Sequence, residues 1–172
     1  MLAELLRAID EAPDEVDRWH PLADWFMDND DPRGELIAID LALEDKPSLS
    51  KRAELGARRT ELLATSTPKL LGDTFAQVVA EGYGTITWRR GFVESLEYKG
   101  SSSMPHRRPV GWLVKLITAE HVPFTLVREI DFSYTDLSDL TPFTRFQHLR
   151  KLKITGCALS AEQCALHSKN DW

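Results

Sequence analysis

The feature that most constrains this chain is a spacing. Val127, Ile130, Phe132, Thr135 and Leu137 fall at the same intervals as Leu149, Leu152, Ile154, Cys157 and Leu159, 22 residues later. Val93, Leu96, Tyr98, Ser101 and Ser103 repeat the spacing more weakly, 34 residues before Val127, and their last position is polar. Alternate residues of a strand point to one face, so each copy specifies a short strand with an apolar side. One such unit cannot bury that side alone. Equal spacing lets neighbours stack side by side and parallel, joining the apolar rows into one core. The position at each strand's end, Ser101, Thr135 or Cys157, is small and can donate a hydrogen bond to neighbouring backbone, the thiol only weakly.

This spacing fits the leucine-rich-repeat pattern L-x-x-L-x-L-x-x-N/C-x-L, whose period is about 20–29 residues. Two clear copies and one degenerate copy are near the minimum that stacks, and the ends need capping. The longer first interval implies an insertion at about 105–124. It is expected to hold a helix near 109–121 with Trp112, Leu113, Leu116 and Ile117 inward. Three unrelated αβ segments are the alternative; two strong matches in one register favour the repeat.

Upstream the period is helical. Leu2, Leu5, Leu6 and Ile9 form one apolar stripe, predicting a helix over 2–12 that Pro13 stops. Acidic Asp14 and Glu15 suit the start of a second helix over about 14–29, with Val16, Trp19, Ala23 and Phe26 on its buried face and a kink or break at Pro21. Asp31 before Pro32 reads as a cap for a third helix over about 32–44. A fourth helix is expected over 50–64 and a short one around 68–80. Thr85–Trp88 alternates like a strand, and Arg89-Arg90-Gly91 reads as a turn. The expected fold is therefore α+β. A helical N-terminal part, residues 1–81, caps a short solenoid of parallel strands over 82–172.

The same register assigns the outward side chains. They are Glu94, Ser95, Glu97 and Lys99 on the first strand. On the second they are Arg128, Glu129, Asp131, Ser133 and Tyr134, and on the third Arg150, Lys151, Lys153 and Thr155. Stacking gives the columns Glu94/Arg128/Arg150 and Glu97/Asp131/Lys153, whose charges partly compensate. Concave strand faces are where solenoids bind partners, so Arg128, Asp131, Tyr134, Arg150, Lys151 and Lys153 are the candidate partner-binding residues. The competing reading is that these charges keep the sheet soluble and its edge unpaired.

The N-terminal half resembles the bacterial repeat-companion domain, a module found before leucine-rich repeats. The matching residues are Trp19-His20-Pro21-Leu22-Ala23-Asp24-Trp25, Asp31-Pro32-Arg33-Gly34-Glu35-Leu36-Ile37 and Arg90-Gly91-Phe92-Val93. Leu22 stands where the family's first motif has tyrosine. The resemblance covers about residues 1–100 and implies an accessory or interaction module with no catalytic residues to carry over. Physically, Trp25 reads as a core anchor, Asp24 as a cap or a partner for Arg33, and Gly34 as a close helix contact or a conformation open only to glycine. Glu35 reads as a partner for Arg33 or a nearby lysine. The alternative is a ligand-binding or hydrolytic site built from Asp24, Arg33 and Glu35.

Composition excludes several classes. The chain has 172 residues, 42% of them apolar and 28% charged, with net charge −6. That balance suits a globular domain rather than a disordered tail. It opposes nucleic-acid binding. The acidity is concentrated: residues 1–48 hold 14 Asp/Glu against 4 Lys/Arg. No apolar run approaches the roughly 20 residues that span a bilayer, and the expected compartment is the cytoplasm. Asp28–Gly34 fails as a calcium loop because Arg33 occupies the glycine position and Ile39 the terminal ligand position. Cys157, Cys164 and His167 do not have the spacing of a zinc finger. His20, His106, His121 and His148 are dispersed. Arg89-Arg90 and His106-Arg107-Arg108-Pro109 read as local basic surface. No cofactor, metal or catalytic set is expected. A protein partner is expected instead, and a last repeat that is frayed or covered by a second copy or another protein.

Overall fold

The computed structural model describes residues 1–98, 110–119 and 121–170, and its helices begin where the prolines allow. Contacts group the chain into two units: Met1–Gly72 with Arg89–Phe92, and Asp73–Trp88 with Val93–Trp172. In the first unit α1 spans Leu2–Glu11 and ends before Pro13. A single 3-10 turn, Val16–Arg18, precedes α2, Trp19–Asp28. The kink expected at Pro21 does not form. Pro21 lies in the first turn of α2, where its missing N–H has no intrahelical acceptor to satisfy, and the break falls earlier, in the 3-10 turn.

Helix α3 spans Arg33–Glu44. Asp31 does cap it: its Oδ1 accepts the Arg33 N–H at 2.9 Å and its carbonyl accepts the Gly34 N–H at 3.1 Å. Gly34 sets the approach of α3 to α2. A Cβ built there would stand 2.7 Å from both Ala23 O and Met27 N and 2.6 Å from Met27 Cγ, so only glycine fits. Trp19, Leu22, Phe26, Leu36 and Ile37 are buried between the helices. Trp19 is the anchor in place of Trp25: it is 2% exposed and its Nε1 donates to Pro13 O at 2.9 Å. Trp25 is half-buried, edge-on to Phe26.

Helix α4 spans Leu49–Leu71, longer than the 50–64 expected, and runs through Pro68. The proline removes one ladder hydrogen bond. The hydroxyls of Thr65 and Thr67 bond back to Glu61 O at 3.0 Å and Leu63 O at 2.6 Å across the same turn. Gly72, at φ +78°, ends the helix in the left-handed conformation that favours glycine.

After Gly72, α5, Asp73–Ala80, leads into β1, Gly84–Arg89, and β2, Phe92–Tyr98, which belong to the second unit except for Arg89 and Phe92 at the turn. The two residues between the strands, Arg90 at φ +50° and Gly91 at φ +75°, are both left-handed. That is the pattern of a type I′ turn, which closes an antiparallel hairpin. Thr87 Oγ1 and Ser95 Oγ meet across it at 2.7 Å. Then follow α6 (Gly111–Ala119), α7 (His121–Phe124), β3 (Glu129–Asp131), a 3-10 turn (Thr141–Arg145), β4 (Lys151–Lys153) and α8 (Ala161–Lys169). The strands form one sheet in the order β1-β2-β3-β4. β2 to β3 and β3 to β4 run parallel. The fold is mixed α+β with a helical N-terminus; a four-stranded sheet opened by a hairpin is not in itself a solenoid.

The apolar positions expected inward line the core. Val93, Leu96, Tyr98, Val127, Ile130, Phe132, Leu137, Leu149 and Leu152 are all buried. A ladder of rings runs from Tyr98 to Phe132 to Phe143 to Phe146 at centroid spacings of 6.3, 5.7 and 6.3 Å. On α6, Leu113 and Ile117 are buried, but Trp112 is 42% exposed, its ring perpendicular to that of Tyr98 at 6.4 Å between centroids. The Leu116 side chain, Lys99, Ser101–Ser103 and His106–Pro109 lie outside the described residues. No described helix is long and apolar enough to cross a membrane.

Candidate functional site

The outward face of the parallel strands is built by register. Ser95 pairs with Glu129 and Glu129 with Lys151; Glu97 pairs with Asp131 and Asp131 with Lys153. The Glu97/Asp131/Lys153 column therefore stands as the spacing predicted. Ion pairs cross from β3 to β4: Lys151 Nζ is 3.4 Å from Glu129 and Lys153 Nζ 3.3 Å from Asp131. The Arg128 N–H donates to Glu94 O and the Arg150 N–H to Arg128 O, each at 2.8 Å, which extends the pairing to the first column. Burial pushes the Asp131 carboxyl up. Hydrogen bonds from the Ser133 N–H and hydroxyl, with the Lys153 ammonium, outweigh it and hold the group below the usual carboxylate range. Ser95, Glu97, Glu129, Asp131, Lys151 and Lys153 line a shallow groove of about 200 Å³.

Beyond the strands the chain turns in the same way twice. The Thr135 hydroxyl donates to Phe132 O at 2.7 Å, and Cys157 Sγ donates to the same carbonyl at 3.2 Å. The two side chains lie 3.5 Å apart. Cys157 thus serves the backbone of the neighbouring copy, as expected, whereas the Thr135 hydroxyl bonds within its own copy, three residues back; Ser101 lies outside the described residues. Just before them Tyr134, at φ +61°, and Gly156, at φ +75°, take the left-handed conformation. Sequence reasoning missed this pair. The signal was present: Gly100 and Gly156 occupy the positions 34 before and 22 after Tyr134. Tyr134 is 64% exposed. Arg150, Lys151 and Lys153 are exposed, and Arg128 and Asp131 half-buried. In the last copy Ile154, Cys157 and Leu159 are only half-buried, whereas Phe132, Thr135 and Leu137 are 0, 0 and 4% exposed.

Asp24, Arg33 and Glu35 do not meet. Arg33 is 7% exposed; its Nη1 donates to Asp31 Oδ2 and its Nη2 to Leu70 O, each at 2.7 Å, and its Nε has no partner. Its partner is Asp31, not Asp24, which is exposed on α2. Glu35 reaches Arg58 on α4 at 2.6 and 2.9 Å, and the Arg58 hydrogen bond lowers its pKa. The groove on the helical unit, about 570 Å³, is lined by Val16, His20, Ala38, Leu41, Ala42, Glu44 and Asp45, and by none of these three.

The motif residues instead form a structural knot within the first unit. Gly91 lies on Arg33, where a Cβ would stand 3.2 Å from Arg33 Cα. Phe92 packs edge-on to Trp19 at 5.8 Å and near Phe26 at 6.4 Å. Arg90, read from sequence as basic surface, is 1% exposed. Its N–H donates to Asp40 Oδ2 at 2.6 Å, its side chain to Glu44 and to Pro13 O, and its guanidinium stacks 4.8 Å from the Trp19 ring centroid.

Both cysteines are free thiols. His167 Nε2 lies 3.3 Å from Leu152 O. Among the described residues no three His, Cys, Asp or Glu are grouped to hold a metal ion. No family model, curated protein or solved structure matches the chain.

Proposed function

We propose that the chain is a non-catalytic adaptor of the cytoplasm: a helical unit of the repeat-companion kind leading a short leucine-rich array that binds a protein partner on its strand face. The observation that carries this reading is the register. Three parallel strands pair at sequence offsets of 34 and 22, put Leu96, Ile130 and Leu152 in one buried row, and present charged columns outward. A row repeated in this way is what stacking of equivalent units produces. Arg33, Gly34, Arg90, Gly91 and Phe92 of the N-terminal motifs support it from the other side, since they are engaged in close packing and part-buried ion pairs rather than gathered at an open pocket. The half-covered Ile154, Cys157 and Leu159 leave an apolar end for a second copy or another protein to cover.

The test is capture of partners from native lysate by purified protein, beside a variant carrying Arg150→Glu, Lys151→Glu and Lys153→Glu and checked for folding by circular dichroism. The reading predicts that specific partners are lost from the variant. Retention of every partner undiminished refutes the face.

A further inference from the structure

We propose that Tyr134 anchors the strand face and that the face accepts an acidic, extended polypeptide segment laid along β4. This deepens the partner-binding reading and rests on it. The first observation is conformational. Tyr134 sits at φ +61°, a region where a Cβ is crowded, while the equivalent position one copy later is Gly156 at φ +75°. The strain is not offset by burial, because the residue is 64% exposed. The ring lies over Gly156, so closely that a Cβ there would stand 2.8 Å from its Cδ1 and 3.1 Å from its Cε1. Neighbouring backbone thus supports one side of an aromatic ring and leaves most of it to solvent. Strained positions of this kind cluster at ligand contacts, and rigid aromatic rings are the commonest anchors of interfaces.

The second observation is charge. Arg150 and β4 present Arg150, Lys151 and Lys153 with no acidic residue among them, whereas β2 presents Glu94 and Glu97. The Lys151 and Lys153 side chains remain 52% and 49% exposed in their ion pairs, so each ammonium keeps donors for a further acceptor. The face therefore grades from acid to base. An anionic strip fits beside β4, with the Tyr134 hydroxyl able to donate to a carboxylate and its ring to cover an aliphatic side chain. A second copy set with β4 against β4 would oppose like charges.

The experiment uses fluorescence polarisation with the full chain and two labelled eight-residue peptides, one alternating glutamate and valine, the other lysine and valine. The proposal predicts binding of the glutamate peptide, weakened by salt, and little of the lysine peptide. Tyr134→Gly should raise the melting temperature, since it relieves strain, yet lower affinity tenfold or more. Tyr134→Phe should keep most of the affinity. Affinity within twofold of wild type in Tyr134→Gly overturns the anchor. Preference for the lysine peptide, or no binding of either, overturns the acidic segment while leaving the partner-capture test untouched. Undiminished binding by the Arg150/Lys151/Lys153 charge-reversed chain overturns the face itself.

Discussion

Substituting alanine for glycine at two helical positions should move stability in opposite directions. Gly34 and Gly56 both lie inside helices, where alanine is favoured over glycine by about 1 kcal/mol. At Gly56 nothing stands within 4 Å of a built Cβ, so Gly56→Ala should realise that gain, about 0.5–1 kcal/mol. At Gly34 the new methyl meets backbone atoms of α2 at 2.7 Å. Ordinary contact begins near 3.4 Å, so α2 and α3 must part by roughly 0.7 Å. Ala23 O and Met27 N belong to a helix and cannot rotate away as a side chain does. Overpacking of this kind costs about 1–3 kcal/mol, here toward the upper end because backbone must move. After the propensity gain is set against it, Gly34→Ala should lose about 2 kcal/mol. For a chain of this size that is a fall of about 4–8 °C in Tm, against a rise of about 1–4 °C for Gly56→Ala. Urea titration and thermal melts followed by far-ultraviolet circular dichroism measure both. If Gly34→Ala is neutral, or changes in the same direction as Gly56→Ala, the α2–α3 contact is not where we place it.

Two further substitutions probe the charged groups. Arg90→Met keeps the stem over Trp19 but leaves Glu44 without its donor, while Pro13 O retains the Trp19 Nε1–H; because Glu44 is 43% exposed and can be rehydrated, the loss should be about 2 kcal/mol by urea titration, and no loss would contradict the burial of Arg90. Lys153→Met removes one of the donors that hold the Asp131 carboxyl low. A depressed carboxyl contributes stability that is complete above its unfolded pKa and disappears as pH falls through the folded one. Wild type should therefore exceed Lys153→Met by about 0.5–1 kcal/mol at pH 7, and the gap should shrink as acid protonates the carboxyl; a gap that does not change with pH would mean that Asp131 is not the coupled group.

What was legible in the sequence follows from what is local or periodic. The strands could be read because their apolar residues recur at fixed offsets, and fixed offsets carry register. That is why the Glu97/Asp131/Lys153 column was predictable residue by residue. The Asp31 cap was legible because it acts within one turn; the Gly34 contact was one of two readings, because its partners Ala23 and Met27 stand on α2 and not in the same turn. Arg90 was not: its acceptors lie 46, 50 and 77 residues away, and a basic residue in a turn looks like surface until they are brought in. Helix α4 overran the expected stop because a proline costs one hydrogen bond, which a long helix can lose. Helical periodicity puts Trp112 inward, but a large ring at the margin of a stripe stays part-exposed. For the face, charge was legible. The backbone strain at Tyr134 shows in the sequence only through the glycines at both equivalent positions, Gly100 and Gly156.

The central claim is that β2, β3 and β4 lie parallel in one register, and cysteine cross-linking tests it most directly. With Cys157→Ser and Cys164→Ala as background, paired cysteines are placed at 129 and 151, 131 and 153, 129 and 153, and 131 and 151. Strands joined at Ile130 and Leu152 in the parallel sense bring together the first two pairs, and mild oxidation should close those disulfides alone. Closure of 129 to 153 and 131 to 151 would mean antiparallel strands, and with them the account of the face would fall.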